Sequence, residues 1–149
     1  MKDDLSKTKA SPATLAKGGV TPEMAEKEVE SWLDFKRIKQ TKRESYSESA
    51  SIMAEAIALG DMVLDPETHH LTVSLAFPLG DSESIKTLKI RPRVTINDIN
   101  KYTAKIKDTA TALRVQAMIA CICEEPIGVI KGLDTGDYEL MQAIVVFFL

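Results

Sequence analysis

Cysteine is nearly absent from this chain of 149 residues: only Cys121 and Cys123 occur. Two thiols cannot build a disulfide framework, and the single residue between them is shorter than the gap that structural zinc sites use. On a helix they lie about 200° apart around the axis, so they read as reduced core residues. Histidine is as scarce, and the adjacent His69 and His70 would point to opposite faces of a strand. They read as a solvated loop, and no metal or cofactor is expected. Long apolar runs are also missing. The longest, residues 143–149, has seven residues, against the roughly 18 to 20 needed to cross a bilayer as a helix. There is no excess of basic charge either. The 19 Lys and Arg against 22 Asp and Glu leave a net charge of −3, which gives no global attraction for nucleic acid or an anionic membrane. Residues 1–17, acidic at Asp3 and Asp4, match neither a secretory signal nor a transit peptide. The expected address is the cytoplasm, with no membrane partner.

What is present is one domain's worth of amphipathic pattern. Hydrophobic residues make up 44% of the chain, enough for one ordinary core in a length too short for two. Residues 1–20 carry too few large apolar side chains to offset the entropy of ordering, and read as a flexible tail. Residues 21–60 read as an N-terminal helical segment. Thr21, Pro22 and Glu23 make a helix start, with Val29, Trp32 and Leu33 as the buried stripe. Thr41 and Glu44 have capping-box spacing, and Tyr46, Ala50, Met53 and Ile57 then recur at helical period up to a stop at Gly60.

Residues 61–149 read as an α+β core. Leu71, Val73, Leu75 and Phe77 alternate with smaller residues as a strand buried on one face and ended by Pro78. Residues 85–90 form its hairpin partner beyond turn chemistry at 80–84. Thr95 and Asp98 predict a capped helix to about Lys107, burying Ile96, Ile99, Tyr102 and Ile106. Residues 110–123 are apolar on more than one face and predict the central helix; Asp134 and Asp137 open the last helix as caps. The expected fold class is α+β, a small β-hairpin packed with a helical bundle and preceded by a flexible N-terminal tail and N-terminal helices.

No serine occupies a nucleophile-elbow pattern, no glycine loop resembles a phosphate cradle, and neither histidine has a carboxylate orienter nearby in sequence. The chain reads as non-catalytic. Lys36, Arg37, Lys39, Lys42 and Arg43 place five positive charges in eight residues beside Trp32, Phe35 and Tyr46. A small DNA-associated protein could use such a cluster. However, Glu26, Glu28, Glu30, Asp34, Glu44 and Glu48 flank it and weaken its field within a Debye length of about 8 Å, so nucleic acid is not the expected partner. The apolar end, residues 144–149, would forgo on the order of 10 kcal/mol if left in water. One helix face can turn only part of it inward, which leaves Val146 or Phe147 to point outward. Tyr138, Met141, Ile144, Val145, Phe147 and Phe148 are the candidate partner-binding residues, and burial in the domain core is the alternative.

The second half has a recognisable order: a strand ending in Phe77 and Pro78, a second ending in Ile90, Arg91 and Pro92, and a helix opened by Asp98 and Ile99. Leu133, Asp134, Thr135, Gly136 and Asp137 then form a Leu-Asp-x-x-Asp element before the final helix. Over roughly residues 70–149 the chain resembles the phage tail assembly chaperones. The resemblance implies a non-catalytic protein of the host cell cytoplasm that coats the tape measure protein, helps recruit tail tube protein and is absent from the mature virion. It also implies two further partners: other copies of the chain, as a homo-oligomer, and a frameshifted longer form of itself, for which the codons of Phe147 and Phe148 would be a slippage site. Met53, Met62, Met118 and Met141 are available for adaptable contacts to a helical client, with filling of the core as the alternative for each. A structural virion component, such as a tail terminator or connector, is the alternative.

Overall fold

The computed structural model describes residues 19–149; all but the last two residues of the tail expected over 1–20 lie outside them. The chain is α+β. The described residues form seven α-helices and one three-stranded antiparallel sheet.

The first helix, α1 (Pro22–Phe35), starts as its sequence dictates: the Thr21 hydroxyl accepts from the Met24 N–H at 3.2 Å and proline occupies the first turn. Ala25, Val29, Trp32 and Leu33 recur at helical spacing and are buried. It ends with the Arg37 N–H on the Asp34 carbonyl and the Ile38 N–H on the Leu33 carbonyl, the paired bonds of a left-handed stop. Arginine, not glycine, takes the positive φ of 58°.

Next come α2 (Gln40–Ser45) and α3 (Ser47–Ala58), separated at Tyr46. The capping box expected at Thr41 and Glu44 does not form. The cap position falls on Lys39, and Glu44 instead accepts from the Gln40 amide at 3.2 Å. Gly60 stops α3 as expected, at φ 82°, with the same pair of closing bonds from Gly60 and Asp61 to Ile57 and Ala56.

The expected hairpin is present, with one strand more. Strands β1 (Met62–Leu64), β2 (Leu71–Leu79) and β3 (Ile85–Ile90) lie in that order, all antiparallel. A three-residue strand is too short to display an alternation, and so β1 was invisible in the sequence. Pro78 does not end β2. The register moves five residues along β2, from Ser74 to Leu79, against two along β3, from Thr87 to Ile85. The strand therefore bulges away from its partner around a residue that has no N–H to donate. The bulge turns Phe77 out to 60% exposure, where strict alternation placed it inside.

Helix α4 (Ile96–Thr103) carries the predicted capping box, with Asp98 accepting from the Thr95 N–H at 2.9 Å and the Thr95 hydroxyl from the Asp98 N–H at 3.1 Å. It is shorter than expected. Its first residue, Ile96, faces solvent at 73% exposure, and Thr103 is its buried residue.

The remaining helices are α5 (Thr111–Cys123), α6 (Ile127–Lys131) and α7 (Thr135–Val145), followed by a 3₁₀ turn (Val146–Phe148). Helix α5 is buried all round from Ile119 to Cys123, as a central helix should be. Helix α7 packs on α3, α5 and β2, and α1 packs on α3. One core cluster thus draws on both halves of the chain.

Candidate functional site

The apolar end is where the structure departs furthest from the sequence reading. Met141, Ile144, Val145 and Phe147 are all buried, and Tyr138 and Phe148 are half-buried. The six residues expected to face a partner are therefore core or core-edge residues. Phe147 in particular points inward. It meets Trp32 edge-on at 6.2 Å and Tyr46 edge-on at 6.1 Å, while Phe148 lies 5.9 Å from the Trp32 ring. The 3₁₀ turn after α7 carries both phenylalanines, which lie against Trp32 of α1. Among these residues only Leu149, 56% exposed, remains largely in water.

Asp134 and Asp137 divide their roles. Asp134 caps α7, accepting from the Gly136 N–H at 2.9 Å, as expected. Asp137 is not a cap. Its carboxylate is buried against the bulge of β2 and accepts from the Ala76 N–H at 2.9 Å and the Phe77 N–H at 3.1 Å. The two sequence elements of the second half, the Phe-Pro strand end and the Leu-Asp-x-x-Asp run, are joined by this one carboxylate.

The cysteines and histidines assemble nothing. Among the described residues no group of three or more His, Cys, Asp or Glu is placed to hold a metal. Cys121 and Cys123 are free and buried; burial raises the Cys121 thiol above its usual range and pushes that of Cys123 up to about 12. Arg91 donates to the Cys121 carbonyl at 2.9 Å and contacts its sulfur at 3.5 Å, but desolvation outweighs it and the thiol stays protonated. His69 stacks on Phe35 with ring centres 3.9 Å apart.

Two of the open surfaces of the described residues bear on binding. One is a groove of about 440 Å³ between α1 and α3. Val29 and the stripe Ala50, Ala54 and Ala58 form its apolar part, and Glu26, Glu30 and Glu55 stand around it. Alanines at every fourth position keep one wall shallow, so that another backbone can approach closely.

The other is a pocket of about 310 Å³ between the end of α1, the β3–α4 loop and the apolar end, with Lys36, Arg37 and Arg93 beside Val94, Ile96, Ile99, Phe148 and Leu149. Two of the five residues of the expected basic cluster, Lys36 and Arg37, line it. Arg43 does not; it is neutralised by Asp34 at 2.9 Å and Glu30 at 3.2 Å. Arg93 joins from a distant part of the chain, an addition that no local pattern announces. The chain matches no known family model, no curated protein and no solved structure.

Proposed function

We propose that this protein is a non-catalytic phage tail assembly chaperone that binds the helical tape measure protein and helps recruit tail tube subunits in the host cytoplasm, and that it is absent from the finished particle. The resemblance of residues 70–149 suggests the reading. The Asp137 carboxylate supports it by tying together two of the sequence elements on which that resemblance rests.

The observation that carries the functional part is the groove between α1 and α3. A client that is a long apolar helix needs a shallow, elongated apolar contact more than a deep pocket. The groove supplies one in Val29, Ala50, Ala54 and Ala58, and its glutamates favour basic residues flanking the client's apolar stripe. The client surface is thus the α1–α3 groove, and α7 holds it from beneath by packing on α3.

Co-expression with the tape measure protein tests this. Wild-type protein should co-purify with it, and Ala54→Trp, which fills the groove from a half-buried position, should lose the client with its circular dichroism unchanged. Equal recovery by Ala54→Trp would remove the groove from the reading. Detection of the chain by mass spectrometry in purified particles would replace the chaperone with a virion component.

A further inference from the structure

We propose that the pocket formed by Lys36, Arg37, Arg93, Ile96 and Leu149 is a second binding site, which takes an acidic amphipathic peptide segment of a partner protein, with carboxylates on the guanidinium side and apolar side chains on Ile96 and Leu149. The proposal stands independently of the chaperone reading and of the α1–α3 groove.

The pocket is half cationic and half apolar, and among the described residues its two arginines have no counterion. Among the described residues the guanidinium groups of Arg37 and Arg93 make no hydrogen bond or ion pair. Lys36 bonds a main-chain carbonyl, that of Pro92, at 2.7 Å. The single acid on the residue 93–99 wall, Asp98, is taken up by Thr95 and Arg91. Arg43, five residues from Ile38, shows what pairing looks like here, with two carboxylates on one guanidinium. Beside these cations stand two of the most exposed apolar side chains among the described residues, Ile96 at 73% and Leu149 at 56%. Phosphate would satisfy the cations and leave that apolar surface in water; a carboxylate peptide with leucine-like neighbours covers both.

Two further features agree. Lys36 lies with its ammonium 3.6 Å from the Phe148 ring centre and 5.4 Å from that of Trp32. Desolvation first, then Lys42 and Arg93, lowers its pKa to about 8. An anion in the pocket would relieve that repulsion and raise the value again. Arg37 holds a left-handed conformation, φ 58°, at a helix stop where glycine is the unstrained choice. Keeping arginine there sacrifices stability for a guanidinium at the pocket mouth.

The test uses the full chain and a fluorescein-labelled helical peptide of leucine and glutamate, with a matched peptide carrying glutamine for glutamate. By fluorescence anisotropy the glutamate peptide should bind at least tenfold more tightly than the glutamine one, and Arg93→Glu should weaken it at least tenfold. Arg37→Gly should weaken it several-fold while raising Tm by a few degrees, which separates binding from folding. Affinity should fall as pH rises through 8 and above, because the peptide holds a proton on Lys36 that the free protein releases. Lys36→Met should flatten that dependence. Equal binding of the two peptides, or unchanged binding by Arg93→Glu, would overturn the proposal. So would displacement of the peptide by a duplex oligonucleotide at lower concentration than by unlabelled peptide, which would assign the cations to phosphate.

Discussion

Asp137 accepts main-chain N–H groups from residues 61 and 60 positions earlier in the chain. Pro78 and the register slip deprive that stretch of its ladder, and a carboxylate, which only accepts, can give one oxygen to each of two adjacent N–H groups. Removing it leaves both donors without a protein partner. Asp137→Ala should therefore cost about 2 to 3 kcal/mol in urea unfolding, in the range of hydrogen bonds to a charged group. Asp134→Ala removes one cap and should cost about 1 kcal/mol. Equal costs would mean that Asp137 is only a second cap. That is how the sequence alone reads it, since aspartate in the first turn of a helix is explained locally and nothing nearby points to a bulge in a distant strand. Phe77 is the other side of the same event: alternation marks it as core, and the bulge that exposes it depends on Asp137.

At the scale of elements, what was legible followed from chemistry within about four residues. The start of α1, the glycine stop of α3, the hairpin and the capping box of α4 are all local and all present. Thr41 and Glu44 have the same spacing as Thr95 and Asp98, yet only the second pair closes. The difference is where each helix starts. Helix α2 begins at Gln40 with Lys39 in the cap position, so Thr41 already lies inside the first turn and cannot cap it, whereas Thr95 is itself the cap of α4. Thr95→Ala should accordingly lower stability by about 1 kcal/mol, and Thr41→Ala, at an exposed position with no capping bond, should stay within about 0.5 kcal/mol of wild type. Paired urea titrations compare them directly, and a cost at Thr41 equal to that at Thr95 would show that α2 is capped after all. Ile96 failed as a core residue for a related reason: period alone does not tell which way the first residue of a helix faces.

For the whole molecule, the core expected at residues 61–149 and the buried cluster differ in extent. Residues 21–60 read as a helical prefix to a core at 61–149. Yet Val29, Trp32, Leu33, Met53 and Ile57 from that prefix belong to the same buried cluster as Ile144, Val145 and Phe147. The apolar end that looked like a partner surface is covered by the chain's own first helix, through Trp32. This contact joins residues more than a hundred positions apart, and no periodicity reveals it. At about 1.5 to 3 kcal/mol for each large side chain buried, the five prefix residues contribute on the order of 10 kcal/mol, which is comparable with the 5 to 15 kcal/mol net stability of a whole domain. A fragment of residues 61–149 should therefore show no cooperative thermal transition by circular dichroism, whereas the full chain should melt in one step. Adding a separate peptide of residues 19–60 should restore the transition, because the missing element is the cover over Phe147 and Ile144 and not a linker. A fragment that melts cooperatively by itself would show that the aromatic contact between α1 and the last turn is dispensable. The apolar end would then be free to serve a partner.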